Sequence, residues 1–476
     1  MNDLEQRVST IVERVLKELM IEGQLSPAAK AFSAAPPPPA SSPSDLGIFQ
    51  EVAPAMEAAL NAQSHFMALS LEKRKNIIDA MRDAALKNSE RLARMAWEET
   101  GLGRFEDKIQ KNKFAATLTP GVEDLEIEVH NGPMETVVVD YGPYGLSLSI
   151  TPITNPTSTI INHSISLLAA GNSVFFAPHP GSKKCVQETI RILNQAIIDS
   201  GGPANMIVTV VEPSLENVEL ALKTDEVKLV IATGGAALVK AALAAGKKCV
   251  AGGPGNPPVI IDETADLTEA AQGIVEGASF DNNILCISEK VLIALNIVAD
   301  DLLKALQQRS AVVLNSSEAE ALTKVLIEDG HINKKFVGKN PSVILSAIGK
   351  RVSDDVRLVV METAQDHPLV ELEQLMPVLP LVRVGCFEEA VKLAKKVEGG
   401  HRHTAAIYSR DMQRVNYFAK QMHVTLLLHN KPSIAGLGTR GAGKYTSTLA
   451  GPTGEGVTTA KTFARQLRYV APNYVF

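Results

Sequence analysis

Cysteine is scarce in this chain. Its 476 residues include four, Cys185, Cys249, Cys286 and Cys386, scattered and with no CxxC pair. That spacing suggests neither a disulfide framework nor a zinc site, and it fits a reducing cytosol in which thiols stay free for chemistry. Positive charge is not in excess either: 47 Lys and Arg against 53 Asp and Glu leave a formal charge of -6. General binding of nucleic acid or of an anionic membrane is therefore not expected, although a local basic patch could still hold a phosphorylated cofactor. No apolar run approaches the roughly 18 residues of a membrane span. The N-terminus is charged and lacks the compact apolar core of a secretory signal. What is present is an ordinary globular composition, 45% hydrophobic, in a chain long enough for two or three domains.

The first twenty residues, MNDLEQRVSTIVERVLKELM, form a unit of their own. Leu4, Val8, Ile11, Val12, Val15, Leu16 and Leu19 fall on one helical stripe, with the charged residues mostly off it. Residues 21–46, including APPPPASSPS, read as a semi-stiff linker. An amphipathic helix on a tether cannot bury its stripe alone and needs a partner surface, or its own domain to fold back onto. Residues 47–99 read as helical, and Asn131-Gly132 between β-rich arms reads as a hairpin, about 125–142. The period then switches repeatedly: SLSITPI, TSTIINHSISLLAAG closed by Gly171, SVFFAP, KKCVQETIRILNQAIIDSGG, MIVTVVE, LENVELAL, VKLVIATGG, AALVKAALAAG. This alternation predicts a doubly wound α/β domain with a parallel sheet over 47–254. A second α/β region, 255–430, follows, and residues 431–476 return to the body as loops and a strand.

Three glycine signals carry different weight. GTRGAGKY, residues 438–445, nearly spells a phosphate-binding loop, but Tyr445 stands where a magnesium-binding Ser or Thr is needed. GLGTRG, residues 436–441, matches a dinucleotide fingerprint by letters alone, outside any βαβ unit. ATGG, residues 232–235, is shorter and better placed: it ends a strand and opens a helix, where backbone N–H groups favour a pyrophosphate. It also fits a plain βα turn.

Cys286, in SFDNNILCISEK, is either a small core filler or a nucleophile. A thiolate attacking an aldehyde creates a tetrahedral oxyanion that needs donors aimed at it. Asn155, in ITPITNPTSTI, sits after a strand and before a helix and could be one, although Asn-Pro is also a common helix start. Cys185, behind Lys183 and Lys184, is the other thiol whose pKa could be lowered, while Cys249 and Cys386 read as apolar strand-end residues. His163 lies on the helix that Asn155 opens and could line the site or simply be a polar helix residue; His401 and His403 read as surface or packing residues, with no further ligands to make a metal site.

FDNNILC, TPITNPT, AGNSVFFAPHP, IATGG, GNPPVIIDETADL, EQLMPVLP and GPTGEG, in this order over 47–476, together resemble the aldehyde dehydrogenase superfamily. They are most similar to its CoA-acylating branch in bacterial microcompartments, the propionaldehyde and acetaldehyde dehydrogenases. The resemblance implies an α/β fold with a Rossmann-like cofactor domain, an α/β catalytic domain and a small oligomerisation hairpin. It implies Cys286 as nucleophile, with Asn155 and the Cys286 backbone N–H as oxyanion hole. For NAD it implies contacts from Thr151, Pro152, Ile153, Thr233, Gly234 and Gly253, from Pro178, His179 and Pro180 beside the adenosine ribose, and from Glu373 at the nicotinamide ribose. Coenzyme A is the implied acyl acceptor, the N-terminal helix resembles an encapsulation peptide for shell or co-encapsulated proteins, and a homodimer or tetramer inside a cytoplasmic microcompartment is implied. Hydrolytic relatives place a glutamate base at a position that here corresponds to Ala251, and no Asp or Glu occurs from residue 249 to 261. Without that base a CoA thiolate becomes the natural acceptor, the alternative being a hydrolytic enzyme that releases free acid. Ala177 replaces a ribose-side lysine, which favours NAD over NADP without deciding it, and Lys444 stands at the aromatic position of the family's glycine loop.

Overall fold

Two parallel sheets and one antiparallel ribbon organise the computed structural model, which describes residues 46–472. The expected helix of residues 1–20 and the linker up to residue 45 lie outside the described residues. In the first sheet the strand order is Ile48–Phe49, Ile207–Val210, Ser173–Pro178, Leu146–Thr151, Val227–Thr233, Lys248–Gly252, all parallel. SVFFAP is a strand buried along its whole length, as expected of a sheet covered on both faces. The chain lays strands outward from Leu146–Thr151 on one side, then returns to place Val227–Thr233 on the other. Connections on opposite sides of a strand pair open a crevice at the carboxyl ends of those strands, here at Thr151 and Thr233.

The second sheet is also parallel, ordered Ala311–Leu314, Leu358–Glu362, Val378–Val384, Val291–Leu295, Pro258–Ile261, Thr404–Tyr408, Leu426–His429. Between the sheets in sequence runs the turn after Gly252, so the carboxyl ends of the first sheet meet the amino ends of the second. The helix Pro156–Ala169 is buried at every residue; Pro156 starts it without wasting a backbone donor, and Gly171, at φ +82°, ends it. Full burial of Ile160, Ile161, Ile165, Leu167 and Leu168 contributes roughly 1.5–3 kcal/mol each, which makes this helix a rigid mount for Asn155 at its start.

Helices Val52–Met67, Leu71–Lys87 and Ser89–Thr100 cover the region read as helical, and a further helix, Phe105–Leu118, follows them. It buries Lys108, Lys111 and Asn112 beside Ala115 and Ala116, so its inward face is as polar as its outward one and apolar periodicity does not reveal it. The ribbon joins the Asn131-Gly132 hairpin, strands Glu128–Asn131 and Glu135–Pro143, to the late strand Ala464–Pro472. It leaves Val129, Met134, Tyr469 and Val470 exposed. Among the described residues no helix is long and apolar enough to cross a membrane, and no group of three His, Cys, Asp or Glu could hold a metal ion.

Candidate active site

Cys286 hangs from a strained turn. Asp281, Asn282 and Asn283 have φ of 48°, 52° and 63°, a left-handed run that costs L-residues about 1–2 kcal/mol each. Their own side chains offset that cost. Asp281 accepts the Arg104 backbone N–H (2.7 Å), the Lys108 ammonium (3.2 Å) and the Lys111 ammonium. Asn282 Nδ2 donates to the Gly338 carbonyl (2.9 Å) and to Asn340 Oδ1 (2.7 Å). Asn283 Nδ2 donates to the carbonyls of Ala278 (2.7 Å) and Glu289 (2.9 Å), and the buried Lys290 ammonium donates to those of Asn283 (2.8 Å) and Leu285 (3.2 Å). Asp and Asn tolerate left-handed backbone best among side-chain-bearing residues, which is why DNN stands here.

The turn delivers a half-buried Cys286 to the meeting point of two cavities. One, about 40 Å³, is mainly apolar, walled by Phe114, Phe280, Leu285, Ile287 and Tyr445 among others. The other, about 340 Å³, is the crevice at the switch point of the first sheet. Asn155 lines both. Burial, with the Glu373 carboxylate beside it, pushes the Cys286 thiol up to about 12, so the resting thiol is protonated; the Lys290 charge and the loop's own N–H groups pull the other way. Burial pulls Lys290 down to about 8 and raises Glu373, whose Oε1 accepts the Gly255 N–H at 3.3 Å.

Opposite the thiol, Pro254 lines the crevice and two glycines beside it are closely approached by other backbone. A Cβ on Gly255 would stand 2.5 Å from the Cys286 carbonyl oxygen, and one on Gly252 would stand 3.0 Å from the Leu449 carbonyl oxygen. Among the described residues lining the two cavities, Glu373 is the one carboxylate.

Residues 48–457 match the aldehyde dehydrogenase family. The chain belongs to that family. It is 45% identical to the acetaldehyde dehydrogenase (acetylating) of Salmonella typhimurium over 439 residues, 91% of this chain and 94% of the relative. The structure of Rhodopseudomonas palustris propionaldehyde dehydrogenase with bound CoA and an acylated cysteine superposes with a TM-score of 0.88 at 42% identity, covering 90% of this chain and 98% of that one. A propionaldehyde dehydrogenase from the Clostridium phytofermentans fucose utilisation bacterial microcompartment gives a TM-score of 0.88 at 38% identity, covering 90% and 99%.

Of the residues singled out from sequence, the crevice brings together Thr151, Pro152, Ile153 and Asn155 from one strand end, and Thr233 and Gly234 from the next. His179, Gly253, Cys286 and Glu373 complete its lining. Pro178 and Pro180 are not part of it: Pro178 is buried at a strand end and Pro180 starts an exposed turn. Ala251 does not face the crevice either. It is fully buried in the first sheet, and the missing acid is a property of the glycine turn after it.

Open alternatives now close, and one expectation, the apolar setting of Cys386, needs correction. His163 is sealed inside the protein between Ser149 Oγ and Thr448 Oγ1, both at 2.8 Å, and lines neither cavity. Cys185 is not activated by its neighbouring lysines: burial and the Glu99 carboxylate, which accepts its backbone N–H at 2.7 Å, raise its thiol, while Lys183 points to Glu212 (2.6 Å). Cys386 is exposed at a helix start rather than apolar. Lys444 is bound by the buried Asp124, Arg440 pairs with Glu276, and no helix follows, so residues 438–445 do not form a phosphate loop. Tyr445, one residue on, supplies an aromatic wall against Phe114, with ring centroids 6.2 Å apart.

Lys111 escaped the sequence reading, and His403 was read there only as a surface or packing residue. Lys111, on the overlooked helix, donates to Asn155 Oδ1 at 2.6 Å. His403 is buried against the Gly255 turn, burial holds it near 3 and therefore neutral, and its Nε2 has no partner.

Proposed function

We propose that the protein oxidises a short aldehyde of the acetaldehyde or propionaldehyde class to its acyl-CoA, using NAD and coenzyme A through a thioacyl Cys286. The observation that carries this is the placement of Cys286 between a small apolar cavity and an open crevice, facing a turn whose own residues include no Asp or Glu. A cavity of about 40 Å³ suits a chain of a few carbons. The crevice suits a dinucleotide: it lies at a switch point, with Thr233, Gly234 and the amino end of helix Ala236–Ala244 available to a pyrophosphate and Glu373 to a ribose. When bound there, NAD supplies the hydride acceptor.

The chain's own part is as follows. Cys286 loses its proton as it attacks the carbonyl carbon, and Asn155 Nδ2 donates to the oxygen that becomes anionic. Collapse leaves a thioester on Cys286. Water is a poor acceptor without a base, so the CoA sulfur attacks instead, and Cys286 leaves as thiolate. His403 packs its Cγ and Nδ1 against the Gly255 turn and lines neither cavity, so it takes no part in this step, and the CoA thiol proton passes to solvent. Residues 47–254 serve the cofactor and 255–430 carry the nucleophile, in keeping with the two sheets.

NADH formation with and without CoA, over a series of short aldehydes, tests the reading. Acyl-CoA should accumulate in step with NADH, and substantial CoA-independent release of free acid would refute it in favour of a hydrolytic enzyme. The exposed apolar side chains of the ribbon suit a second copy of this chain, giving a dimer or tetramer readable by light scattering. Residues 1–20 would direct the enzyme to a microcompartment shell or cargo; their deletion should abolish co-localisation and leave soluble activity intact.

A further inference from the structure

An oxyanion hole built from a side-chain amide has a weakness. The two ends of a carboxamide are nearly the same shape, and only one of them is a donor. If Asn155 turned its oxygen to the reacting carbonyl it would repel the developing charge instead of stabilising it. Something must choose the orientation. The Lys111 ammonium donates to Asn155 Oδ1 at 2.6 Å, to the Thr154 carbonyl at 3.3 Å and to Asp281. An ammonium has three donors and no acceptor, so the flipped amide would set donor against donor. With Oδ1 held, one Nδ2–H goes to Thr154 Oγ1 (3.1 Å) and the other is left for the cavities that Asn155 lines.

Asp281, the acceptor on the far side of Lys111, belongs to the turn that carries Cys286. One buried ammonium therefore joins the amide at the start of the central helix to the loop of the nucleophile. Lys108 is its natural comparison. It also reaches Asp281 (3.2 Å) and the Thr154 carbonyl (3.5 Å), but its contacts do not include the Asn155 amide.

We propose that Lys111 is the positioning residue that fixes the polarity of the Asn155 amide and ties it to the Cys286 loop. The proposal rests on the oxyanion role given to Asn155 above. Its test is a mutant cycle read in the pre-steady-state burst of NADH, at saturating NAD and with no CoA present. Asn155→Ala should slow the burst by about 10²–10³-fold, the usual loss for one oxyanion donor. Lys111→Met should slow it by about 10–100-fold, with the KM for NAD unchanged. The double variant should be no slower than Asn155→Ala by more than about twofold, because residues acting as one unit are non-additive. Lys108→Met removes a cation from the same buried carboxylate and should lose as much thermal stability as Lys111→Met, yet slow the burst by less than about threefold. If Lys111→Met does not fold, Lys111→Gln, whose end can present oxygen or nitrogen to Asn155, enters the same cycle under the same criteria. Equal burst losses in the Lys108 and Lys111 variants, or losses that multiply in the double variant, would overturn the positioning role. A burst indifferent to Asn155→Ala would overturn the oxyanion assignment and this proposal with it. A burst that depends on Asn155 but ignores Lys111 would overturn this proposal alone.

Discussion

Two turns face each other across the Cys286 thiol, and they differ in almost every respect. Residues 279–290 carry Asp281, Asn282, Asn283, Glu289 and Lys290, all buried, with backbone held in a left-handed run and nearly every polar atom committed. Residues 249–261 carry no charged side chain, and at Gly255 no side chain would fit. The first turn aims the nucleophile, and its Lys290 and backbone N–H groups pull the thiol down against burial and Glu373. The second contributes close approach and leaves deacylation to a nucleophile brought from outside. A catalytic loop can thus be defined as much by the side chains a neighbour lacks as by those it has: the turn's own residues offer water no base, and Glu373, the carboxylate against it, accepts the Gly255 N–H.

The contrast can be broken most severely at the thiols. Cys286→Ala should lower NADH formation by about 10⁴-fold or more, as loss of a covalent nucleophile does, and should abolish the acyl-enzyme adduct in a mass spectrum. Cys249→Ala, on the bare side, should leave activity within about twofold, since burial pushes that thiol up to about 11 and the exchange removes little volume. Comparable losses in both variants would erase the distinction between the turns. Next in size comes Gly255→Ala. Its Cβ, 2.5 Å from the Cys286 carbonyl oxygen, must push the nucleophile loop aside, and a shift of this kind should cost about 10²-fold in kcat. An unimpaired Gly255→Ala enzyme would show that close approach of the two turns is not required.

The alternation of periods in the sequence was enough to announce one parallel sheet and a second α/β region, because buried parallel strands are continuous apolar runs and the helices between them are amphipathic. SVFFAP and the helix ending before Gly171 stand where the pattern puts them. Cys286 was legible through the motif around it and not through any statistic of cysteines. Lys111 was not legible, because its meaning lies in contacts 44 and 170 residues away and its helix hides lysines where the apolar pattern would need leucines. Cys185 shows a related limit. Two lysines precede it in sequence, but helix geometry turns Lys183 to Glu212 and leaves the thiol buried with the Glu99 carboxylate at its helix start. His403 was legible as a packing residue, but its unpartnered ring nitrogen is visible only once the chain is folded.

The smallest effect concerns how the crowded turn responds to pH. Burial pushes Glu289 from 4.5 up to about 7, although the Ser433 N–H (2.8 Å) and hydroxyl (2.7 Å) donate to it. Between those values the folded protein holds a proton that the unfolded chain has released, so stability falls as pH rises through this window. The contribution is fully present below about pH 4.5 and lost above about 7, and at 1.36 kcal/mol per unit it amounts to roughly 3 kcal/mol at most. Its neighbour Lys290 works in the opposite sense. Pulled from 10.5 to about 8, it releases its proton earlier when folded, so stability rises with pH from about 8 to 10.5. Glu289→Gln keeps an oxygen to accept from Ser433 and removes the titration. Melting temperatures measured from pH 4 to 10, subtracted between variant and parent so that other carboxylates cancel, should therefore differ in slope below pH 7 and run parallel above it. A difference confined to high pH would mean that Glu289 is charged in the folded protein throughout. The crowded turn would then hold two opposite charges where burial argues for a neutral acid beside a weakened base.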